Sequence, residues 1–428
     1  MKKIGLVLKK EQSSWVSCRS ITRGLIRSYE LAFPGSEIRL FHIFEGQSQF
    51  ESFELSKEIK SFGPELIAFI DHAPHPGDVL RGLHHHYGSE ALPRIFVHVF
   101  GDFTLHALKW LPLEDVLKDL SIQFICASEK QELLIRSFCA GVPPVNYIPF
   151  PVDERSFSYK VGESKRVRTE LGYKEGQEIF FYSGRLSLQK NVLLLISVFA
   201  SYLRNFNSEA ILWLAGPTDD LGVPYLGKPS QEGLFANDMM KLIGEAIPAQ
   251  QREQVVYLGE IEHAQLVDLY RACSYYVSLS THNDEDYGMA PAEAMLCGAP
   301  LLLTDWGGFS SFKKILGENC FTVPVKMTSR RVAPEALSCV KTLAKASDWA
   351  QKGIQSEQIA ALARASVSCE AVSAKLASLF NEAPASRFEG FSSLFQRVQQ
   401  AFEASPKRPF GRLYEYTSLY QEVYRVYV

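Results

Sequence analysis

Two glutamates eight positions apart, Glu285 and Glu293, stand in the run Glu285-Asp286-Tyr287-Gly288-Met289-Ala290-Pro291-Ala292-Glu293-Ala294-Met295-Leu296-Cys297-Gly298. Glu285 reads as a loop carboxylate and Glu293 as one in the first turn of a helix. Pro291 suits the opening of that helix, because its missing N–H has no partner there anyway. The N–H groups of Gly288, Met289 and Ala290 then lie at the positive end of the helix dipole, where an anion is stabilised. Glycine at 288 would also let a ligand approach the backbone closely. A second run, Gly184-Arg185-Leu186-Ser187-Leu188-Gln189-Lys190-Asn191, offers one guanidinium and one ammonium. Arg185 can fork onto phosphate oxygens and Lys190 adds a point charge, a pairing suited to a diphosphate. As loop residues, the two cations are expected to matter little to folding stability.

Taken singly, the first run is an ordinary helix opening and the second a solvated loop. Their shared position changes the reading. Short apolar runs alternate with longer amphipathic ones, the pattern of βαβ units around parallel sheets. Strands are expected at Ile4–Leu8, Ile38–His42, Leu66–Ile70, Ile95–His98, Ile122–Ala127 and Asn146–Pro149. A second set is expected at Ile179–Ser183, Ile211–Ala215, Val255–Leu258, Tyr275–Leu279, Pro300–Thr304 and Phe321–Val325, with helices at Val192–Arg204 and His263–Cys273. Both chemical runs leave strands of this second set. In doubly wound sheets, ligands bind outside the carboxyl ends of the strands, at the point where strand order reverses.

The Lys-, Arg-, Glu- and Gly-rich stretch after Asp153 reads as the crossing between two domains, and Asp219–Gly233 as a Gly/Pro-rich loop long enough to be functional. Tyr416, Tyr420, Tyr424 and Tyr427 fall at i, i+4, i+8 and i+11, one helical face whose plain reading is core packing. His84-His85-His86 reads as an exposed polar loop, since adjacent side chains diverge and no carboxylate or thiol stands at ligand spacing. Cys297 reads as a small packed side chain.

Composition excludes several classes. A net charge of −3 argues against a broadly basic nucleic-acid coat or a polybasic membrane binder. The eight cysteines form no CxxC pair, which fits neither a zinc knuckle nor a disulfide scaffold and suits a reduced, cytoplasmic setting. The apolar run Ile4–Leu8 is too short for a signal peptide, and no window approaches the ~20 apolar residues of a membrane span. Peripheral contact with a membrane stays open.

Together the two runs resemble the retaining glycosyltransferases of family 4, matching that family's GRL…K and E-x7-E segments and the following E-A-M-x-x-G-x-P. Between them, Leu258-Gly259-Glu260-Ile261 and Leu269-Tyr270-Arg271-Ala272-Cys273 match its LG…LY pattern. Upstream, Ile148-Pro149-Phe150-Pro151-Val152-Asp153 with Phe157 is similar to its IPxxVD…F hinge, Phe150 and Pro151 replacing the usual Asn-Gly. The resemblance implies an α/β, GT-B fold of two Rossmann-like doubly wound domains facing across a cleft. The acceptor-binding domain would span 1–158, the nucleotide-sugar-binding domain 159–385, and a helical segment 386–428 would return to the first.

It further implies transfer of a sugar from a nucleotide-sugar donor to a hydroxyl of a glycan, a lipid-linked glycan or a small molecule. The anomeric configuration would be kept, with no metal or other cofactor. Arg185 and Lys190 would hold the diphosphate, Glu285 would face the donor sugar, and Glu293 would accept from the ribose. Gly259, Glu260 and Ile261 would frame the base, and Gly288, Met289 and Ala290 would assist at the phosphate or sugar. Two features depart from the family. Its Gly-Gly turn after the first strand is replaced by Lys9-Lys10-Glu11-Gln12-Ser13-Ser14. Its middle-strand histidine aligns with Phe100, whose strand parity His98 and Asp102 share, so either could reach the same face, and His98 is a catalytic candidate.

Overall fold

The computed structural model of the chain describes residues 1–11, 16–88, 90–174, 176–219, 233–350, 353–384, 386–412 and 415–428. Gln12, Ser13 and Ser14 of the departed turn lie outside these, as does 220–232 of the Gly/Pro-rich loop. The chain forms two compact units. Unit 1 comprises Met1–Val152 with Val367–Pro409, and unit 2 comprises Asp153–Ser366 with Phe410–Val428.

Unit 1 is built on six parallel strands, β1 (Lys3–Lys9), β2 (Glu37–Ile43), β3 (Leu66–Phe69), β4 (Arg94–Val99), β5 (Ile122–Cys126) and β6 (Val145–Tyr147). Their order is β2-β1-β3-β4-β5-β6, with Leu6 paired to Leu40 on one side and to Ala68 on the other. Unit 2 carries β7 (Ile179–Ser183), β8 (Ile211–Ala215), β9 (Val255–Gly259), β10 (Tyr275–Ser278), β11 (Leu301–Thr304) and β12 (Cys320–Val323). These run in the order β12-β11-β10-β7-β8-β9. Both sheets are doubly wound, so each sequence-derived strand is present to within a residue or two, but their topologies differ. Unit 1 has the order in which β1 and β3 flank the reversal; unit 2 has the dinucleotide-binding order, reversing between β7 and β10.

The central strands of unit 2 are apolar on both faces because helices cover both. Every residue of β7, β8, β10 and β11 is buried, whereas β9, at the edge, is half exposed. The helix Val192–Asn205 follows β7 and sinks Leu195, Ile196, Phe199 and Leu203 into this core.

The domain boundaries shift from those expected. The first crossing falls at Val152/Asp153, six residues before the expected 158. The return to unit 1 starts at Val367 rather than 386 and ends at Pro409. The reason is packing. The helix Cys369–Asn381 buries Val372 and Leu376, and Phe380 meets Phe33 edge-on at 5.2 Å. The helix Ser393–Ala404 turns Phe395 onto Phe103 and Phe138, with centroids 5.5 and 4.8 Å apart. The final stretch, Phe410–Val428, belongs to unit 2. His84-His85-His86 is likewise no loop but the last turn of the helix Gly77–Tyr87. There His84 Nε2 lies 2.9 Å from Asp119 and His86 Nε2 lies 3.2 Å from the Phe53 carbonyl. Among the described residues no helix is long and apolar enough to cross a membrane.

Candidate active site

The reversal between β7 and β10 gathers the two chemical runs. Beyond Ser183 the chain turns through Gly184, with φ +141°, into a short turn Leu188–Lys190. Asn191 then takes the left-handed conformation at φ 54°. Its amide donates to the Leu279 carbonyl and to Thr281 Oγ1, both at 2.9 Å, which staples the exit of β7 to the exit of β10. The preceding residue completes the link: Lys190 Nζ donates to Glu285 Oε2 at 2.7 Å. Their side chains are 19% and 10% exposed, so the pair is largely out of water. Burial alone would push the Glu285 carboxyl up; the Lys190 ammonium, a hydrogen bond from Ser280 and nearby His282 together hold it below the usual carboxylate range.

Arg185 is engaged as well. Its Nη1 donates to Asp219 Oδ2 and its Nη2 to Gln189 Oε1 at 3.2 Å. Asp219 sits just past the exit of β8, where a side chain on Gly216 would strike the Gly184 carbonyl at 2.0 Å. Glycine is required there because two strand exits touch. Gly216 N–H in turn donates to the Gly259 carbonyl at 2.7 Å. Gly259 and Ile261 are half-buried and Glu260 is exposed, on the β9 side of the sheet's carboxyl edge.

The helix of the first run spans Met289–Leu296. It opens two residues earlier than Pro291 suggests; Pro291 is its third residue, still within the turn whose N–H groups have no intrahelical acceptor. Glu293 therefore stands in the second turn. The room beside Gly288 is filled by protein: with φ at +109°, an added Cβ would come within 2.6 Å of the Phe309 ring and 2.9 Å of Pro291. Glycine at 288 is thus required by the packing of the helix entry. Glu293 is buried and accepts from Tyr270 Oη at 3.1 Å, while Tyr270 Oη lies 2.7 Å from Ser183 Oγ. Burial pushes the Glu293 carboxyl up to about 8 despite the tyrosine. The neighbouring Cys297 thiol is pushed up to about 12 by burial, the state of a packed, unreactive side chain.

His98 does not join this set. It lies in β4 of unit 1, 1% exposed, with Nε2 2.9 Å from Tyr29 Oη on the helix Val16–Ala32. Burial holds its pKa near 3, so the ring is neutral. That placement makes His98 a packing residue rather than the ligand-facing group considered from sequence. Asp102 caps the turn that follows, accepting from Thr104 N at 2.9 Å and Thr104 Oγ1 at 2.8 Å.

Sequence reasoning missed Asp219, Gln189, Ser183 and Tyr270 as members of the constellation. Tyr270 was available as part of the LG…LY pattern. Asp219 follows Ala215-Gly216-Pro217 at a strand exit, a position worth testing in any doubly wound sheet.

Residues 163–324 match the family model described as glycosyl transferases group 1. The chain is 31% identical over 152 residues to a D-inositol 3-phosphate glycosyltransferase of Gordonia bronchialis, covering 36% of this chain and 31% of that protein. It is 23% identical over 181 residues to the alpha-monoglucosyldiacylglycerol synthase of Streptococcus pneumoniae, covering 42% and 36% respectively. The chain thus spans about a third of the length of these curated relatives. Similarity of fold extends much further. Sucrose-phosphate synthase from Thermosynechococcus elongatus superposes with a TM-score of 0.58 at 17% identity, over 89% of this chain and 98% of that one. HepE from Anabaena, solved in complex with UDP, gives 0.62 at 14% identity, over 89% and 100%. Both units have the GT-B architecture of these structures, and residues 163–324 carry the likeness in sequence to the group 1 glycosyl transferases.

Proposed function

We propose that this protein is a retaining, metal-independent glycosyltransferase moving a sugar from a nucleotide-sugar to a hydroxyl of a glycan, a lipid-linked glycan or a small molecule. It would work in the cytoplasm or at the inner face of a membrane. The observation that carries the reading is the Lys190–Glu285 contact, 2.7 Å long, at the sheet reversal of unit 2. It sets a cation for a leaving phosphate beside an ionised carboxylate for a sugar.

In this reading Arg185 and Lys190 hold the diphosphate. As the bond from the anomeric carbon to the phosphate oxygen breaks, its electron pair passes to that oxygen. The growing charge is met by the two cations and by the first-turn N–H groups around Gly288, Met289 and Ala290. The acceptor oxygen bonds to the anomeric carbon on the face the phosphate is leaving, and its proton passes to the departing phosphate oxygen. Configuration is thereby kept. Glu285, ionised beside Lys190, orients the donor hydroxyls and stabilises positive charge near the anomeric carbon. Glu293 accepts from the ribose, Gly259, Glu260 and Ile261 frame the base, and the acceptor is assigned to unit 1.

The test is a thermal-shift panel of UDP-, GDP- and ADP-sugars followed by donor hydrolysis in purified protein. A ligand at a hundred times its dissociation constant stabilises the native state by about 2.7 kcal/mol. Stabilisation by one donor with slow release of its sugar to water is the expected result. Binding without turnover in the presence or absence of acceptors would point instead to a silent nucleotide-sugar-binding protein, and no binding at all would remove the reading.

A further inference from the structure

The tyrosine stripe has so far no part in the site, yet the fold ties it to Glu285. Tyr416, Tyr420, Tyr424 and Tyr427 meet in series, stacked, tilted and then edge-on, with successive centroids 4.5, 4.6 and 5.6 Å apart. Tyr420, Tyr424 and Tyr427 have no solvent exposure. At the inner end of the stripe, Tyr427 meets Trp306 edge-on at 5.4 Å. Trp306 Nε1 donates to the His282 carbonyl at 2.8 Å. Two residues on, Gly308 N–H donates to the Glu285 carbonyl at 2.7 Å. Between them, Gly307 has φ +52°, and a Cβ there would lie 2.5 Å from the Glu285 carbonyl oxygen and 3.3 Å from the Tyr427 ring. The segment 306–308 is therefore pressed between Tyr427 and the backbone of Glu285. A fourth hold comes from the stripe itself, where Tyr420 Oη donates to Asn283 Oδ1 at 3.3 Å.

The loop so held, 279–288, contains no helix or strand; its own turn is a single backbone bond from Glu285 N–H to the His282 carbonyl at 3.1 Å, and Asn191 and Val332 hold only its start, at Leu279 and Thr281. Lys190 pins the carboxylate of Glu285, but the main chain beneath it is fixed from the other side. A carboxylate that must meet charge at one carbon has to be kept within about 0.5 Å of its working position, and a misplacement of about 1 Å can cost on the order of 100-fold in rate.

We propose that the stripe of Phe410–Val428 is a clamp that positions Glu285, with Tyr420 and Tyr427 as positioning residues for the sugar-facing step. The proposal rests on the reading of Glu285 as the sugar-facing group. It separates two properties of one site: Arg185, Lys190 and Glu293 hold the nucleotide without the stripe, whereas the geometry of Glu285 depends on it.

The experiment compares Tyr427→Ala, Tyr427→Phe, Tyr420→Phe and Asn283→Ala with the unaltered protein. Amide exchange over peptides spanning 280–289, nucleoside diphosphate affinity and kcat for donor hydrolysis or transfer are measured in each. Tyr427→Ala is expected to speed exchange at 282–288 about tenfold or more and to lower kcat on the order of 10- to 100-fold. The Kd for the nucleotide should stay within about twofold, since no nucleotide contact is touched. Tyr427→Phe keeps the ring and should restore both exchange and kcat. Tyr420→Phe and Asn283→Ala should give smaller, equal and non-additive effects, which keeps the proposal decidable if Tyr427→Ala fails to fold. Unchanged exchange at 282–288, or loss of nucleotide affinity in step with kcat, would overturn the clamp. An unaltered protein without donor turnover would defeat the glycosyltransferase reading alone, because exchange still decides the clamp.

Discussion

Lys190 and Glu285 are joined at 2.7 Å although 95 positions separate them in the chain, because β7 and β10 are neighbours at the sheet reversal. The pair is a preassembled centre in which the Lys190 ammonium helps hold the Glu285 carboxyl ionised with little water nearby. Removing one member of such a buried pair leaves the other uncompensated, at a cost of about 3–5 kcal/mol when burial is complete. Lys190→Ala should accordingly lower stability by about 3 kcal/mol and abolish turnover. Glu285→Ala should cost less stability, because the Lys190 ammonium can reach toward water on its flexible stem. Joint replacement of both should be more stable than Lys190→Ala alone. Denaturant melts of the three variants check this, and additive losses would show that the two charges do not support each other.

That prediction reverses what the sequence supports, and the reason is instructive. A loop between a strand and a helix marks Lys190 as a residue of weak structural demand, and local pattern carries no record of a partner two strands away. The twelve strands of the two six-stranded sheets were legible, β7, β8, β10 and β11 most plainly, as short apolar runs with turn residues at their ends. The site's cations and carboxylates were legible because they leave strands of one sheet. The partners Asp219 and Tyr270 were not, since an acid in a Gly/Pro-rich loop and a tyrosine in a helix pattern are each ordinary until strand order is known. His98 failed for a different reason. Strand parity states which residues share a face, not whether that face meets a ligand or a helix, and here the helix Val16–Ala32 covers it with Tyr29.

Asp219 should set how strongly Arg185 can bind a phosphate. The ion pair engages Nη1 of the guanidinium while Gln189 accepts from Nη2, so a phosphate would compete with Asp219 for that side of the fork. Asp219→Asn removes a negative charge from the edge of a site proposed for a diphosphate. Affinity for free UDP, GDP or ADP, whichever binds, should rise several-fold, with a steeper dependence on salt. Turnover should fall by about tenfold, because the guanidinium loses its anchor. Weaker nucleotide binding in this variant, measured by calorimetry at two salt concentrations, would show that Asp219 supports the site in another way.

Glu293 should make nucleotide binding pH-dependent. Its carboxyl titrates near 8 in the folded protein against about 4.3 when unfolded. A carboxyl raised in this way favours folding below the unfolded value, and that contribution is lost as pH rises through the folded one. Between about pH 4.5 and 8 the unaltered protein should therefore lose stability relative to Glu293→Gln. The ionised carboxylate accepts from ribose hydroxyls more strongly than the protonated one, so nucleotide affinity should strengthen over the upper part of the same window and binding at pH 7 should release a proton. Calorimetry in two buffers of different ionisation enthalpy reads that release directly. Proton uptake, or pH-independent affinity that Glu293→Gln leaves unaltered, would place the ribose elsewhere.

Metal independence is the sharpest test of the charge arrangement. Read from the sequence, no Asp-x-Asp pair stands at a plausible strand end, yet Asp284-Glu285-Asp286 has that spacing just beyond β10. Among the described residues these three carboxylates do not gather into a group able to hold an ion. Asp284 lies 3.5 Å from His282 with 43% of its side chain exposed, and Glu285 is committed to Lys190. In the function proposed, charge on a departing diphosphate would be met instead by Arg185, Lys190 and the N–H groups that open the helix Met289–Leu296, fixed donors of the kind whose single removal costs on the order of 100-fold or more in rate. Donor hydrolysis should therefore persist at full rate in EDTA and gain nothing from Mg²⁺ or Mn²⁺, while Arg185→Ala and Arg185→Lys should both lose most of it. Loss of turnover on chelation with rescue by Mn²⁺ would mean that Asp284 or Asp286 recruits an ion when the donor binds, and the Asp286→Asn variant would then lose the rescue.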